Sequence, residues 1–220
     1  VTAFATFNGA RVVSGSIAIP LYGMWSGDVS LSDDGAVNTT GPLVLGNLTL
    51  QGAIYRQAAF GGRRALRLIA GAGGWHKIVP KRQYYLAAPG VLLSTILNDA
   101  AMEVGETIGR LTDGIVGTGF ARIEGPAAYV LRSLAGSSWY IDPAGVTQIE
   151  AWPTKPVQTE FTVVEQDGGQ GRITIATEDY AAWMPGTTFA GPTLAGTYTS
   201  GGVRYVFAED GTFRLEVLTQ

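Results

Sequence analysis

The sequence predicts a mainly β fold of the α+β type: two small β-barrel-like domains with a helical insertion between them. Three observations predict it. Apolar residues alternate with small or polar ones over short stretches at both ends of the chain, the period of a half-buried strand. The 31 glycines and 10 prolines fall between those stretches and form no repeat or low-complexity tract, so they punctuate strands. In the middle of the chain the hydrophobic period lengthens from two residues to about 3.6. The expected boundaries are 1–86 for the first barrel-like domain, 87–152 for the helical and hairpin insertion, and 153–220 for the second barrel-like domain.

In chain order, residues 11–22 (RVVSGSIAIPLY) alternate Val13, Gly15, Ile17 and Ile19 with small or polar partners, and Trp25, Val29 and Leu31 repeat the pattern. Asp33-Asp34-Gly35 is a hairpin turn, since Asp and Gly tolerate the positive φ that tight turns require. Strands over 37–45, 48–55 and 64–69 follow, with Gly61-Gly62 turning between the last two. Turns every 8 to 12 residues suggest a small closed or nearly closed barrel, because closure removes exposed edges.

Residues 71–80 (GAGGWHKIVP) read as a glycine-rich joint, and Tyr84-Tyr85-Leu86 as one more strand that Pro89 ends. Val91, Leu92, Ile96, Leu97, Ala100, Ala101 and Val104 then fall on one stripe at about 100° per residue, with Pro89 suited to a helix start and Gly105 to its cap. A second helix is expected over 126–134, with Tyr129, Val130 and Leu134 inward and Gly136 as its stop. Between the helices, residues 107–125 read as a glycine-bounded loop with room for one short strand, and as the segment best placed to contact a partner. Residues 139–141 and 146–151 form a hairpin around Asp142-Pro143-Ala144-Gly145. Strands over 161–166, 171–177, 189–198, 203–207 and 212–218 complete the chain, the last two joined at Glu209-Asp210-Gly211.

Composition narrows the function. With 220 residues, 46% hydrophobic and 15% charged, the chain can bury a core and is far too apolar for disorder. A formal charge of −3 argues against a nucleic-acid surface, and the small basic groups Arg63-Arg64-Arg67 and Lys77-Lys81-Arg82 read as solvated strand faces. The absence of cysteine excludes disulfides and thiol chemistry. No segment approaches the roughly 18 apolar residues of a membrane helix, and no basic region precedes an apolar run at the N-terminus. The chain is therefore expected to be soluble, with no export signal in it and no membrane insertion.

The residues offer no catalytic, cofactor-binding or metal site. His76 is the single histidine and cannot build a His-rich zinc centre. Neither Ser14 nor Ser133 lies in a G-x-S-x-G elbow. The carboxylate pairs Asp33/Asp34, Asp99/Glu103 and Glu103/Glu106 could do glycosidase work, but the first belongs to a turn and Asp99 and Glu103 read as a solvated helix face. Gly71 to Trp75 resembles a phosphate loop only superficially, lacking the G-K-[ST] ending and a following helix. Asp113-Gly114 and Asp167-Gly168-Gly169 lack the acidic repeat of a calcium loop. Of the aromatics, Trp25, Trp139, Tyr140 and Tyr205 are expected in the core. Trp75, Trp152 and Trp183 flank Gly or Pro and are expected to be more exposed, at an oligomer interface or a sugar-stacking platform.

Near the end of the chain, GRITIATEDYAAWMPGTTF with its Pro185-Gly186 turn resembles the closing barrel of tailed-bacteriophage baseplate hub, or tail tip hub, proteins. The segments VLLSTILNDAAMEVGE and YVLRSLAGSSWYIDPAGVTQIEAW look like the helical insertion of that family, and FNGARVVSGSIAIPLYGMWSGDV is similar to its strand-rich start. The resemblance implies a non-enzymatic structural protein of the virion tail tip, assembled in the host cytoplasm without a cofactor. It implies self-association as a homotrimeric ring joining the tail tube and distal tail protein to a central spike or fibre. The tape-measure protein, or DNA in transit, would pass through the lumen. Many family members are longer than this chain. The competing readings are a carbohydrate-binding or host-recognition module of a phage tail, and a hydrolase with sequence-distant carboxylates.

Overall fold

The computed structural model describes residues 4–79 and 82–220. Of the basic groups named above, Lys81 lies outside the described residues.

The N-terminal part is a closed six-stranded barrel. Its strands are β1 (Ala5–Phe7), β2 (Ala10–Pro20), β3 (Ser26–Leu31), β4 (Thr40–Leu45), β5 (Leu48–Phe60) and β6 (Arg63–Ala70), in the order β1-β4-β5-β6-β3-β2 with β1 paired back to β2. The expected alternation carries it: Ile17, Ile19, Val29, Leu31, Leu43, Leu45, Leu48, Leu50, Leu66 and Leu68 are buried. Trp25 packs where Gly52 leaves room, since a Cβ there would come within 2.5 Å of the indole. The strand expected to end at Tyr55 runs on to Phe60, because β6 pairs with it out to Phe60↔Arg63.

After the barrel, the glycine-rich joint carries a 3₁₀ turn at Gly74–His76, followed by β7 (Ile78–Val79) and β8 (Gln83–Leu92). Pro89 neither ends this strand nor starts the helix, which is a correction to the sequence reading. Strand β8 continues to Leu92 because β10 (Ile115–Arg122) pairs with it from Arg122↔Gln83 to Ile115↔Leu92. Among the described residues each of these strands pairs only with the other, so proline is tolerated. Helix α1 spans Leu93–Val104 and is capped by Gly105 at φ 79, with Ile96, Leu97, Ala100, Ala101 and Val104 buried as the stripe predicts. The segment 107–125 is strand more than loop: it holds β9 (Ile108–Leu111), β10 and the start of β11 (Gly125–Pro126).

Helix α2 spans Ala127–Ala135 and buries Val130 and Leu131, whereas Tyr129, expected inward, is exposed. The predicted hairpin is β12 (Tyr140–Ile141) and β13 (Thr147–Ile149), with β9 added parallel to β13. It seats the insertion on the barrel. Gly23 N–H donates to Trp139 O at 2.7 Å, Gln51 N–H to Pro143 O at 2.8 Å, and the Trp75 indole N–H to Thr147 Oγ1 at 2.8 Å.

The C-terminal region comprises β14 (Lys155–Pro156), β15 (Thr162–Asp167), β16 (Arg172–Ala176), β17 (Thr187–Phe189), β18 (Tyr198–Phe207) and β19 (Phe213–Thr219). The predicted strand over 189–198 is instead the end of β17 and the start of β18 with non-strand chain between. The strands run β14-β17-β18-β19-β16-β15, and β18 also pairs with β2 from Gly202↔Pro20 to Phe207↔Gly15. The two β-rich regions thus share one sheet. Tyr205 anchors its underside: its buried hydroxyl lies 2.9 Å from Tyr180 O and 2.8 Å from Trp183 O.

Candidate functional site

The residues with chemical potential are spent on local structure. His76 is an exposed residue at the end of the 3₁₀ turn whose ring lies tilted against Tyr55 at 4.8 Å between centroids, and partial burial lowers its pKa. Asp33 accepts from the Gly35 N–H at 2.9 Å and Asp167 from the Gly169 N–H at 3.1 Å, as turn residues do. Ser133 Oγ donates to Val130 O within α2, and Ser14 sits in β2. Asp113 accepts from the Ser94 N–H at 3.0 Å and the Ser94 hydroxyl at 2.6 Å, and these bonds lower its pKa. It thereby caps α1 from the loop preceding β10, where Leu92 supplies no side-chain cap.

The helix carboxylates depart from the reading as a solvated face. Glu103 pairs with the guanidinium of Arg122, a β10 residue only 2% exposed, and Asp99 accepts from Gln83 Nε2 at 3.2 Å. Both carboxylates therefore face the β8–β10 ribbon. Tyr85 lies among them, its pKa pushed up to about 12 by burial and by the charges of Asp99 and Glu103 against the opposing Arg122.

Glu106 is buried and reaches the glycine-rich joint, accepting from the Gly74 N–H at 2.5 Å and the Ala72 N–H at 3.4 Å. Gly71 and Gly73, at φ 70 and 75, curl the backbone so that successive N–H groups converge. The segment resembling a phosphate loop is an anion nest after all, and its anion is the chain's own carboxylate. Burial raises the Glu106 pKa, against the lowering effects of these N–H groups and of Lys77. The sequence signal was the Gly-Ala-Gly-Gly run itself, which identifies a nest but not its occupant.

The aromatic platform does not form. Trp75 and Trp183, expected to be exposed, are 1% and 0% exposed, while Trp152 is half-buried and stacked on Tyr140 at 3.8 Å. Among the described residues no tryptophan is exposed. What remains on the surface suits protein contacts. On the β8–β10 ribbon Leu86 is 85% exposed two residues from the exposed Tyr84, Ile115 is exposed at the far end opposite Leu92, and a groove of about 270 Å³ lined by Phe120, Ile123, Pro126, Tyr129 and Val130 adjoins the ribbon. The residues of the expected contact segment 107–125 thus supply part of an apolar face.

The second surface is a pair of open strand edges. The Ile54 N–H still donates to Thr39 O at 2.7 Å on the β4 side; beyond it, among the described residues, β5 pairs only with β6, and Phe60 at the hairpin tip is 92% exposed. At the other end of the sheet, β15 pairs only with β16 among the described residues. An unpaired edge offers a row of backbone donors and acceptors to another chain.

No family model and no curated protein sequence matches the chain. Solved structures do. The E. coli c3393 protein is described as a component of the type VI secretion system with structural similarity to the T4 bacteriophage tail proteins gp27 and gp5. It matches 98% of this chain and 76% of its own at TM-score 0.65 and 12% identity. A tail protein from Neisseria meningitidis MC58 matches 98% of this chain and 95% of its own, at 0.64 and 11%. The 43 kDa tail protein of prophage MuSo2 from Shewanella oneidensis matches 98% and 96%, at 0.61 and 9%. The fold is that of these phage tail and secretion-system proteins.

Proposed function

We propose that this chain is a structural component of a phage tail tip or a related injection machine, acting as a hub rather than as an enzyme. The observation that carries the reading is the fold likeness over 98% of the chain to two tail proteins and a type VI secretion component. It is a likeness of whole chains, not of one motif. The internal use of Glu103, Glu106, Asp113 and Arg122 is consistent with it, since each serves packing or capping.

In this reading several copies, three by the family resemblance, close a ring that connects the tail tube and distal tail protein to a spike or fibre. The tape-measure protein or DNA would pass through the centre, and the chain would reside in the virion. The exposed ribbon and groove of the insertion serve as the contact for a neighbouring tail protein. The test is the mass of the purified chain in solution, alone and mixed with its neighbouring tail proteins. A ring of defined copy number, formed alone or with a neighbour, is expected. A strict monomer that joins none of these proteins would overturn the proposal.

A further inference from the structure

The groove beside the β8–β10 ribbon runs along a strand edge. Consecutive residues 120–126 line it. Side chains of a strand alternate between its two faces, so a cavity that touches neighbours of both parities lies against the backbone edge and not against one face. Strands β8 and β7 occupy the opposite edge, through Phe120↔Tyr85, Arg122↔Gln83 and Gly125↔Val79. Among the described residues, 120–124 make no backbone hydrogen bond other than this pairing. The second wall is helix α2, whose Tyr129, Val130 and Ser133 lie on one stripe. The groove is thus a slot between an unpaired strand edge and a helix.

We propose that an extended segment of a neighbouring tail protein adds to β10 in this slot as a third strand and seats one large apolar side chain between Ile123, Tyr129 and Val130. The inference rests on the reading of the chain as a tail component, and names the kind of partner segment its insertion takes. Main-chain hydrogen bonds to the open edge supply affinity, and the anchor side chain supplies selectivity. Gly117 and Gly119 keep the earlier part of β10 free of bulk, which lets a second backbone approach. The slot, about 270 Å³, falls below the roughly 300–1,000 Å³ of small-molecule sites and suits a single buried anchor.

The lining selects the segment further. Ile123 is 52% and Tyr129 59% exposed, apolar surface that an incoming side chain covers. Glu124 is an exposed carboxylate on the slot and forms no ion pair among the described residues. Arg122 lines the slot as well, but its guanidinium is buried and paired with Glu103. The partner segment therefore carries a large apolar residue with a lysine or arginine close by. A helix is disfavoured as the occupant, because it leaves the donors and acceptors of the β10 edge unpaired.

Overlapping peptides of about 12 residues, enough to span one strand, are drawn from the sequences of the neighbouring tail proteins and titrated against the full chain by fluorescence anisotropy. At least one peptide with the apolar and basic pattern is expected to bind. Tyr129→Glu and Ile123→Glu, both at exposed positions, are each expected to weaken that binding about tenfold or more with circular dichroism unchanged. N-methylation along the peptide backbone separates strand addition from side-chain contact: binding falls at every second position and persists at those between. Amides within residues 115–124 gain protection from hydrogen exchange when the peptide binds. Uniform tolerance of N-methylation, or protection confined to residues 127–135, overturns the strand pairing. If the intact neighbours bind but none of their peptides does, and Tyr129→Glu leaves their binding unchanged, the slot is not the contact while the tail reading stands. Loss of self-association in Tyr129→Glu with no peptide bound makes a second copy the occupant and equally overturns the proposal. If no neighbouring tail protein binds the chain, both readings fail.

Discussion

The Glu106 carboxylate lies 2.5 Å from the backbone nitrogen of Gly74, 32 residues upstream, and so ties the turn after α1 to the joint where the insertion leaves the barrel. Burial opposes its ionisation and the converging N–H groups favour it; burial prevails, and the folded-state pKa is raised. A raised carboxyl pKa contributes stability that is fully present below the ordinary value of 4.5 and is lost as pH rises through the folded value.

Glu106→Gln removes this titration. The stability of the wild type relative to Glu106→Gln is therefore expected to be greatest near pH 4 and to decline toward neutrality, as read by urea unfolding at both pH values. A difference that grows with pH would mean that the N–H groups outweigh burial.

Gly74→Ala probes the same joint sterically. A Cβ at this position would collide with the backbone oxygen of Val104 and come within 2.7 Å of Glu106 Cγ. Overpacking of this kind typically costs about 1–3 kcal/mol. The check is the denaturant midpoint, with Gly168→Ala in the β15–β16 turn as a comparison, where no atom lies within 4 Å and φ is not in the left-handed region.

Arg122 and Glu103 are expected to behave as a coupled pair. Arg122→Met strands the Glu103 carboxylate, whose side chain is 22% exposed, so the loss should lie toward the low end of the roughly 3–5 kcal/mol typical of broken buried pairs. Glu103→Leu combined with Arg122→Met is expected to recover most of that loss in a double-mutant cycle. Additive losses would show that the two groups act independently.

Tyr205→Phe deletes the hydroxyl that serves the Tyr180 and Trp183 carbonyls. With the Trp183 acceptor buried and the Tyr180 acceptor part-buried, a loss of about 1–3 kcal/mol is expected from thermal or urea unfolding. A neutral result would mean that water replaces the hydroxyl.

Most of the strand order along the chain was legible in the sequence because period-2 alternation and turn chemistry are local. The Ile96 to Val104 stripe and the Gly105 cap placed the first helix for the same reason. Errors fell where a distant segment overrode local preference. Pro89 reads as a helix start, yet pairing of β8 with β10 across the insertion keeps residues 89–92 extended. Trp75 and Trp183 sit beside flexible residues, yet the first donates to Thr147 and the second packs edge-on against Phe161.

By itself, then, the sequence determined which stretches alternate, where they turn, and that a helical interval divides two β-rich regions. Only the tertiary structure decided that β2 and β18 fuse those regions into one sheet, that Glu106 fills the glycine nest, and that β5 and β15 are left with open edges. The physical reason is that periodicity and turn propensity act over a few residues. Strand partnership and the pairing of a buried charge are set by which distant segments exclude water from one another, and no local pattern encodes that choice.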